Sequence, residues 1–204
     1  MVIGRDGKPK LAMDHGVAMP KARPRTRRFL AVDPGDVHVG VAEFEQVGSE
    51  PWRAVWAYEW RPDEFMEWLH LNLQRMRWDW LVVEEWRLFP EHAPRAVGSD
   101  MPTSRLIGSI QAIARFSPPV TAWFDRGECP IHYQTPQIKV PTRSMLKRRK
   151  LRSVAKILKI SGDHASDAEL HGYHYLIRQD EPIWNATVQA QVSAPDLTPS
   201  QALW

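Results

Sequence analysis

Phe29-Leu30-Ala31-Val32-Asp33-Pro34-Gly35 decides the fold of this chain. Four consecutive apolar residues read as a strand covered on both faces, the condition of central strands in α/β domains. Proline cannot donate to a sheet ladder and glycine permits a tight turn, so the strand stops beside the carboxylate. A second run has the same form, with Trp80-Leu81-Val82-Val83 leading straight into Glu84-Glu85. An acidic group that closes a buried strand costs desolvation free energy unless a cation neutralises it.

Outward from these two strands the pattern is equally readable. Residues 38–45 alternate loosely and suit a hairpin partner of the first strand, and 52–60 alternate with period two, placing Trp52, Ala54, Trp56, Tyr58 and Trp60 on one face. Pro62 opens a helix with apolar residues at helical spacing from Phe65 to Met76. After a polar, proline-rich loop over 88–102, Thr103 caps a helix carrying Leu106, Ile107, Ile110 and Ile113. Pro118 and Pro119 break that helix and begin a short second one, and 130–134 reads as a further strand. The basic block Lys147-Arg148-Arg149-Lys150 opens a helix through about 159, and a last helix covers 165–178. Three strands in hairpin sequence, followed by helix, strand, helix, strand and helices, predict an α/β domain with a mixed sheet. Residues 1–27 are expected as a basic flexible arm, 28–179 as the folded domain and 180–204 as a tail.

Composition narrows the function classes. The chain has 204 residues, enough for one sizeable domain, and its ten tryptophans fall largely in apolar runs that read as core. Net charge is only +3, but residues 1–28 hold eight Lys or Arg against two Asp, and Arg152 extends the basic block. Clusters of this kind suit a polyanion, because displaced counterions favour binding to phosphates. The single cysteine, Cys129, excludes an intramolecular disulfide and a multi-cysteine zinc site. No apolar run approaches the ~18 residues of a membrane span, and residues 11–20 are too short and polar for a leader, so a cytoplasmic setting is expected.

A third acidic position accompanies Asp33 and Glu84. Asp167 lies in the first turn of the last helix, with His164 three residues earlier on the same face. Each carboxylate alone reads equally as a turn, cap or salt-bridge residue; three around one sheet point to a divalent cation with oxygen ligands. His171 and His174 suggest zinc, but no cysteine stands near them.

These segments resemble RuvC-type Holliday-junction resolvases of the RNase H-like superfamily, nearest their phage-encoded branch. Phe29-Leu-Ala-Val-Asp-Pro-Gly35 is similar to their first strand, and Trp80-Leu-Val-Val-Glu84 to the strand that ends in a metal-binding glutamate. Asp163-His-Ala-Ser-Asp-Ala-Glu-Leu170 is similar to their final helix, where a His or Asp precedes an Asp by three. The resemblance spans residues 28–178 with the motifs in order.

It implies an RNase H-like five-stranded mixed sheet of order 3-2-1-4-5 flanked by helices. It also implies a metal-dependent endodeoxyribonuclease that resolves four-way junctions by symmetric paired nicks. Asp33, Glu84, His164 and Asp167 would hold two magnesium ions, with manganese as a substitute. Glu85 and Asp163 remain alternatives to their neighbours. Lys139, Arg143, Lys147, Arg148, Arg149, Lys150 and Arg152 would line a DNA cleft, and Phe89 would meet the junction centre. Paired nicks call for a homodimer, expected through the helix over 104–115 with its small residues Gly108, Ser109, Ala112 and Ala114. If the protein is viral, its setting is the host cytoplasm. The alternatives are a nuclease for flaps or forks and a non-catalytic DNA-binding module. An actin-like ATPase, which also opens on Asp-Pro-Gly, would need a longer chain with later phosphate-binding glycine motifs.

Overall fold

A computed structural model describes residues 25–74, 78–85, 101–116, 129–157 and 162–183. Strands β1 (Thr26–Pro34), β2 (Val39–Val47) and β3 (Arg53–Trp60) form an antiparallel meander. Helix α1 (Pro62–Gln74) leads to β4 (Trp80–Glu84), and α2 (Pro102–Phe116) precedes β5 (Ile131–Gln134). A short 3-10 turn (Pro136–Ile138) runs into α3 (Lys139–Arg148), followed by α4 (Val154–Ile157) and α5 (His164–Arg178). The sheet order is β3-β2-β1-β4-β5, with β4 parallel to both β1 and β5. This is the RNase H-like arrangement, with β1 and β4 adjacent at its centre.

Alternation along the central strands divides the core between the two sheet faces. Leu30, Val32, Leu81 and Val83 pack against Phe65, Trp68 and Leu69 of α1 and Leu106 and Ile110 of α2. Phe29, Ala31 and Val82 pack on the other face against Leu146 of α3 and Ala165, Ala168 and Tyr173 of α5. Burial on both faces is what the continuous apolar runs of β1 and β4 require. The tryptophans serve the same end: Trp52, Trp56, Trp60, Trp68 and Trp78 are all buried. Two of them have their indole N–H groups satisfied by one buried carboxylate, since Trp56 Nε1 and Trp78 Nε1 donate to Glu43 Oε2 at 3.0 and 3.2 Å.

Several expected boundaries shift. Thr26 and Arg27, assigned to an arm, are already strand, and Ile183, assigned to a tail, forms a parallel bridge with Trp52. The remainder of both segments, 1–24 and 184–204, lies outside the described residues, as do Phe89 and the short helix expected after Pro118. The tryptophan strand does not keep one face. Its pairing with β2 shifts between Glu43 and Phe44, whose partners are Trp56 and Ala54. The extra residue, Val55, is a bulge, and it turns Trp56 and Trp60 onto the α1 face while Trp52 and Ala54 stay on the α5 face. The basic block ends a helix rather than opening one: α3 stops at Arg148, and Lys150 takes a left-handed conformation with φ of 55°.

The contact that places α5 is made through glycine. A Cβ on Gly40 would collide with the backbone carbonyl of His164 and crowd the Ala165 amide, and one on Gly172 would enter the Phe44 ring. Gly40 is also the register partner of Asp33. The first turn of α5 therefore lies directly against the end of β1. Gly40→Val is expected to displace that turn and lower stability by about 1–3 kcal/mol, the usual cost of overpacking, as measured by chemical denaturation.

Candidate metal centre

Asp33 continues the Phe29, Ala31 alternation, and Glu84 continues from Val82, so both carboxylates face α5. The parallel register places Val32 opposite Val83, one residue before each acid. Glu85 follows on the opposite face, where it lines a shallow pocket of about 230 Å³ with Ser104, Ile107, Gln111 and Tyr133. Register thus separates the two neighbouring glutamates.

Asp33 is 3% exposed, a depth at which an uncompensated carboxylate would be costly. Its compensation is specific. Lys139 Nζ lies 3.0 Å from Asp33 Oδ1, 2.6 Å from Glu84 Oε2 and 3.0 Å from Asp167 Oδ2. Three carboxylates from β1, β4 and α5 thereby surround one ammonium. Arg143, one turn along α3, reaches the other Asp167 oxygen at 2.8 Å. His164 Nδ1 lies 2.7 Å from Asp33 Oδ2, and His171 Nε2 lies 2.6 Å from Glu84 Oε2. The second nitrogen of His171 is 3.0 Å from Gln134 Oε1 at the end of β5.

The titration behaviour follows from these contacts. Burial pushes the Glu84 carboxyl up, but hydrogen bonding with His171, Asp33 and Lys139 outweighs it and holds the group down at about 2. Burial opposes the Lys139 charge as well, yet Asp33 and Glu84 hold the ammonium above its ordinary value. The hydrogen bond to Asp33 raises the His164 imidazole, which lies at the more exposed rim.

Of the residues singled out from the sequence, Asp33, Glu84, His164 and Asp167 come together here. Asp163 is exposed just before α5. His171 and His174 do not act as a pair, because His174 Nδ1 faces Thr142 Oγ1 at 3.1 Å while His171 is fixed on Glu84. Lys139 is not simply a lining residue of a cleft: its ammonium sits among the acids. Two members of the centre were thus read in other roles, His171 in a zinc pair and Lys139 on the DNA cleft. His171 had a signal, since His164, Asp167 and His171 recur at the three- and four-residue spacing of one helix face. The resemblance put Lys139 at the cleft, but nothing in the sequence set its ammonium among the acids, because that approach depends on how α3 docks. Further along α3 and beyond, Lys147, Arg148, Arg149, Lys150 and Arg152 are mostly exposed.

The donor set fits a divalent cation. One ligand atom each from Asp33, Glu84 and His171 lie within 4.8 Å of one another, and the three carboxylates already enclose a positive charge. Gln134 holds the far nitrogen of His171, as outer hydrogen-bond partners hold metal-binding histidines. Fold and site together define an RNase H-like domain with a carboxylate-lined cation seat.

No protein family matches the sequence, and no curated protein matches it. In structure the chain is similar to Thermus thermophilus RuvC in complex with Holliday junction substrate, at 15% identity and a TM-score of 0.45, covering 77% of this chain and 99% of that one. It is also similar to the fowlpox virus resolvase in complex with substrate Holliday junction DNA, at 12% identity and a TM-score of 0.49, covering 74% and 98%. A manganese-soaked human cytomegalovirus terminase nuclease domain is 11% identical with a TM-score of 0.40, covering 74% and 83%. Among the described residues no helix is long and apolar enough to cross a membrane.

Removing the central cation tests the electrostatic account. Lys139→Met should destabilise the metal-free protein at neutral pH by about 2–4 kcal/mol, since three acids lose their common partner. A depressed carboxyl contributes stability that is complete above its unfolded value of 4.5 and lost as pH falls through about 2. In the variant Glu84 loses part of that depression, so the stability deficit against wild type should be largest at neutral pH and shrink as pH falls below 4.5. Urea melts from pH 2 to 7 check both expectations.

Proposed function

We propose that the chain is a divalent-metal-dependent endonuclease acting on branched DNA, and specifically a RuvC-type resolvase of four-way junctions. The observation that carries this reading is the convergence of Asp33, Glu84 and Asp167 on a single cation, beside a helix rich in Lys and Arg. Asp33, Glu84 and Asp167 would hold two magnesium ions, with manganese as a substitute and with His171 or His164 supplying nitrogen. Divalent ions bound there supply an activated nucleophile and neutralise the charge that builds on a phosphodiester during hydrolysis. A water oxygen bonds to phosphorus as the P–O3′ bond breaks, leaving a 5′-phosphate and, once O3′ takes up a proton from solvent, a 3′-hydroxyl.

The chain's own groups do the positioning. Asp33, central in the sheet and fixed by His164, would be a principal metal ligand. His171 and Gln134 orient Glu84, and Arg143 orients Asp167. Lys139 neutralises the three acids in the place that the ions would take, and would serve as a phosphate-binding cation beside them. Lys147, Arg148, Arg149, Lys150 and Arg152 would hold DNA backbone, contacts that orient a duplex without reading its sequence. Paired nicks on a nearly two-fold junction need two such sites, so the active form is a homodimer. The exposed face of α2, where Gly108 has open space around it, is the proposed contact.

Asp33→Asn should abolish magnesium-dependent cleavage of a mobile four-way junction while junction binding in EDTA survives. Mapping cuts on all strands distinguishes symmetric resolution from flap or fork cutting. Wild-type protein that binds junctions but cuts no branched DNA with magnesium or manganese would instead be a non-catalytic module.

A further inference from the structure

Beyond the acidic centre, on the far side of Arg143, the described residues enclose a groove of about 480 Å³ between α3, α4 and α5. Its rim carries Arg143, Lys147, Arg152 and Lys156, and its floor carries Leu146, Leu151 and Leu170. Arg143 is paired with Asp167, whereas Lys147, Arg152 and Lys156 have no ion pair among the described residues. The wall is built rather than incidental. Glu169, buried in α5, accepts Ser153 Oγ at 2.6 Å and the amides of Val154 and Ala155 at 2.7 and 3.2 Å, and so fixes the start of α4.

We infer that this groove receives one unpaired nucleotide of the DNA substrate, its phosphate on the rim and its base or sugar on the leucine floor. The inference rests on the proposed function only in taking DNA as the partner. Two features select this occupant. A duplex backbone offers phosphates to an exposed cationic surface and has no use for an apolar floor beneath it. A nucleotide turned out of the stack has a charged end and a broad apolar face that needs cover from water. The volume lies within the usual range of small-ligand sites, about 300–1,000 Å³, and suits a single nucleotide. Arg143 joins the two places, with its guanidinium on Asp167 at one end and the groove at the other. A nucleotide held here would fix the strand relative to the carboxylates and favour branch points, where unpaired bases are available.

The test is equilibrium binding by fluorescence anisotropy in EDTA, using a duplex with a one-nucleotide gap or flap and the same fully paired duplex. Wild-type protein should prefer the unpaired substrate by roughly tenfold, in line with one base stacked on a protein surface. Arg152→Ala with Lys156→Ala should weaken binding of both DNAs and lower the salt slope by roughly two. Leu151→Ser should remove the preference while leaving duplex affinity within about twofold of wild type. Lys156→Glu, at an exposed position, guards against misfolding of the leucine variant and should reduce affinity for the unpaired substrate more than for duplex. Equal affinities of wild-type protein for the two DNAs, or a preference that survives both Leu151→Ser and Lys156→Glu, would overturn the inference. Because no cleavage is measured, a chain that never cuts DNA can still pass this test, and a nuclease can still fail it.

Discussion

Everything at the site depends on β1 and β4 lying side by side, parallel and in register. Two carboxylates belonging to distant stretches of sequence are then carried to the same edge of the sheet by identical counts of alternating residues. Repulsion between them is tolerable only because the same edge receives a positive charge. Lys139 supplies it here, with His164 on the other oxygen of Asp33 and His171 on the same Glu84 oxygen that meets the ammonium. Metal binding would substitute a stronger cation for a weaker one in a seat that the fold has already shaped. A pre-formed seat of this kind lowers the ordering cost of assembling ligands.

The third carboxylate arrives by packing rather than by sheet register. Asp167 reaches the centre because α5 can approach β2 closely at Gly40 and lie over Phe44 at Gly172. From there the helix presents His164, Asp167 and His171 along one stripe, each fixed to a different acid or base. The opposite stripe, Ala165, Ala168 and Tyr173, is core. One amphipathic helix therefore both seals the sheet and furnishes much of its chemistry.

How much of this was legible depends on the range of the interaction concerned. β1 and β4 were readable because double burial demands unbroken apolar runs, and their terminal acids stood out against that background. Helix spacing displayed the His164, Asp167 and His171 stripe, although nothing local said that His171 would face Glu84. Val55 was invisible as a bulge, since an extra residue in a strand of alternating tryptophans leaves no mark of composition. The end of α3 was misread for a related reason: Lys150 adopts a conformation usually announced by glycine, so a run of good helix formers concealed a turn. Lys139 illustrates the limit, because its place among the acids exists only after two helices and two strands have docked.

The bridge between Trp52 and Ile183 has a practical reach. The Trp52 amide donates to the Pro182 carbonyl at 2.8 Å, and the Gly48 amide donates to the Arg25 carbonyl at 2.9 Å. Both outer limits of the described fold are thereby gathered at the β2–β3 turn, the pole opposite Asp33. Arg25 lies eight residues before that aspartate along β1, about 26 Å at the usual rise. A dye, affinity handle or fused domain joined at Arg25 or Ile183 would sit a whole sheet length from the carboxylates, an attachment geometry well suited to single-molecule observation.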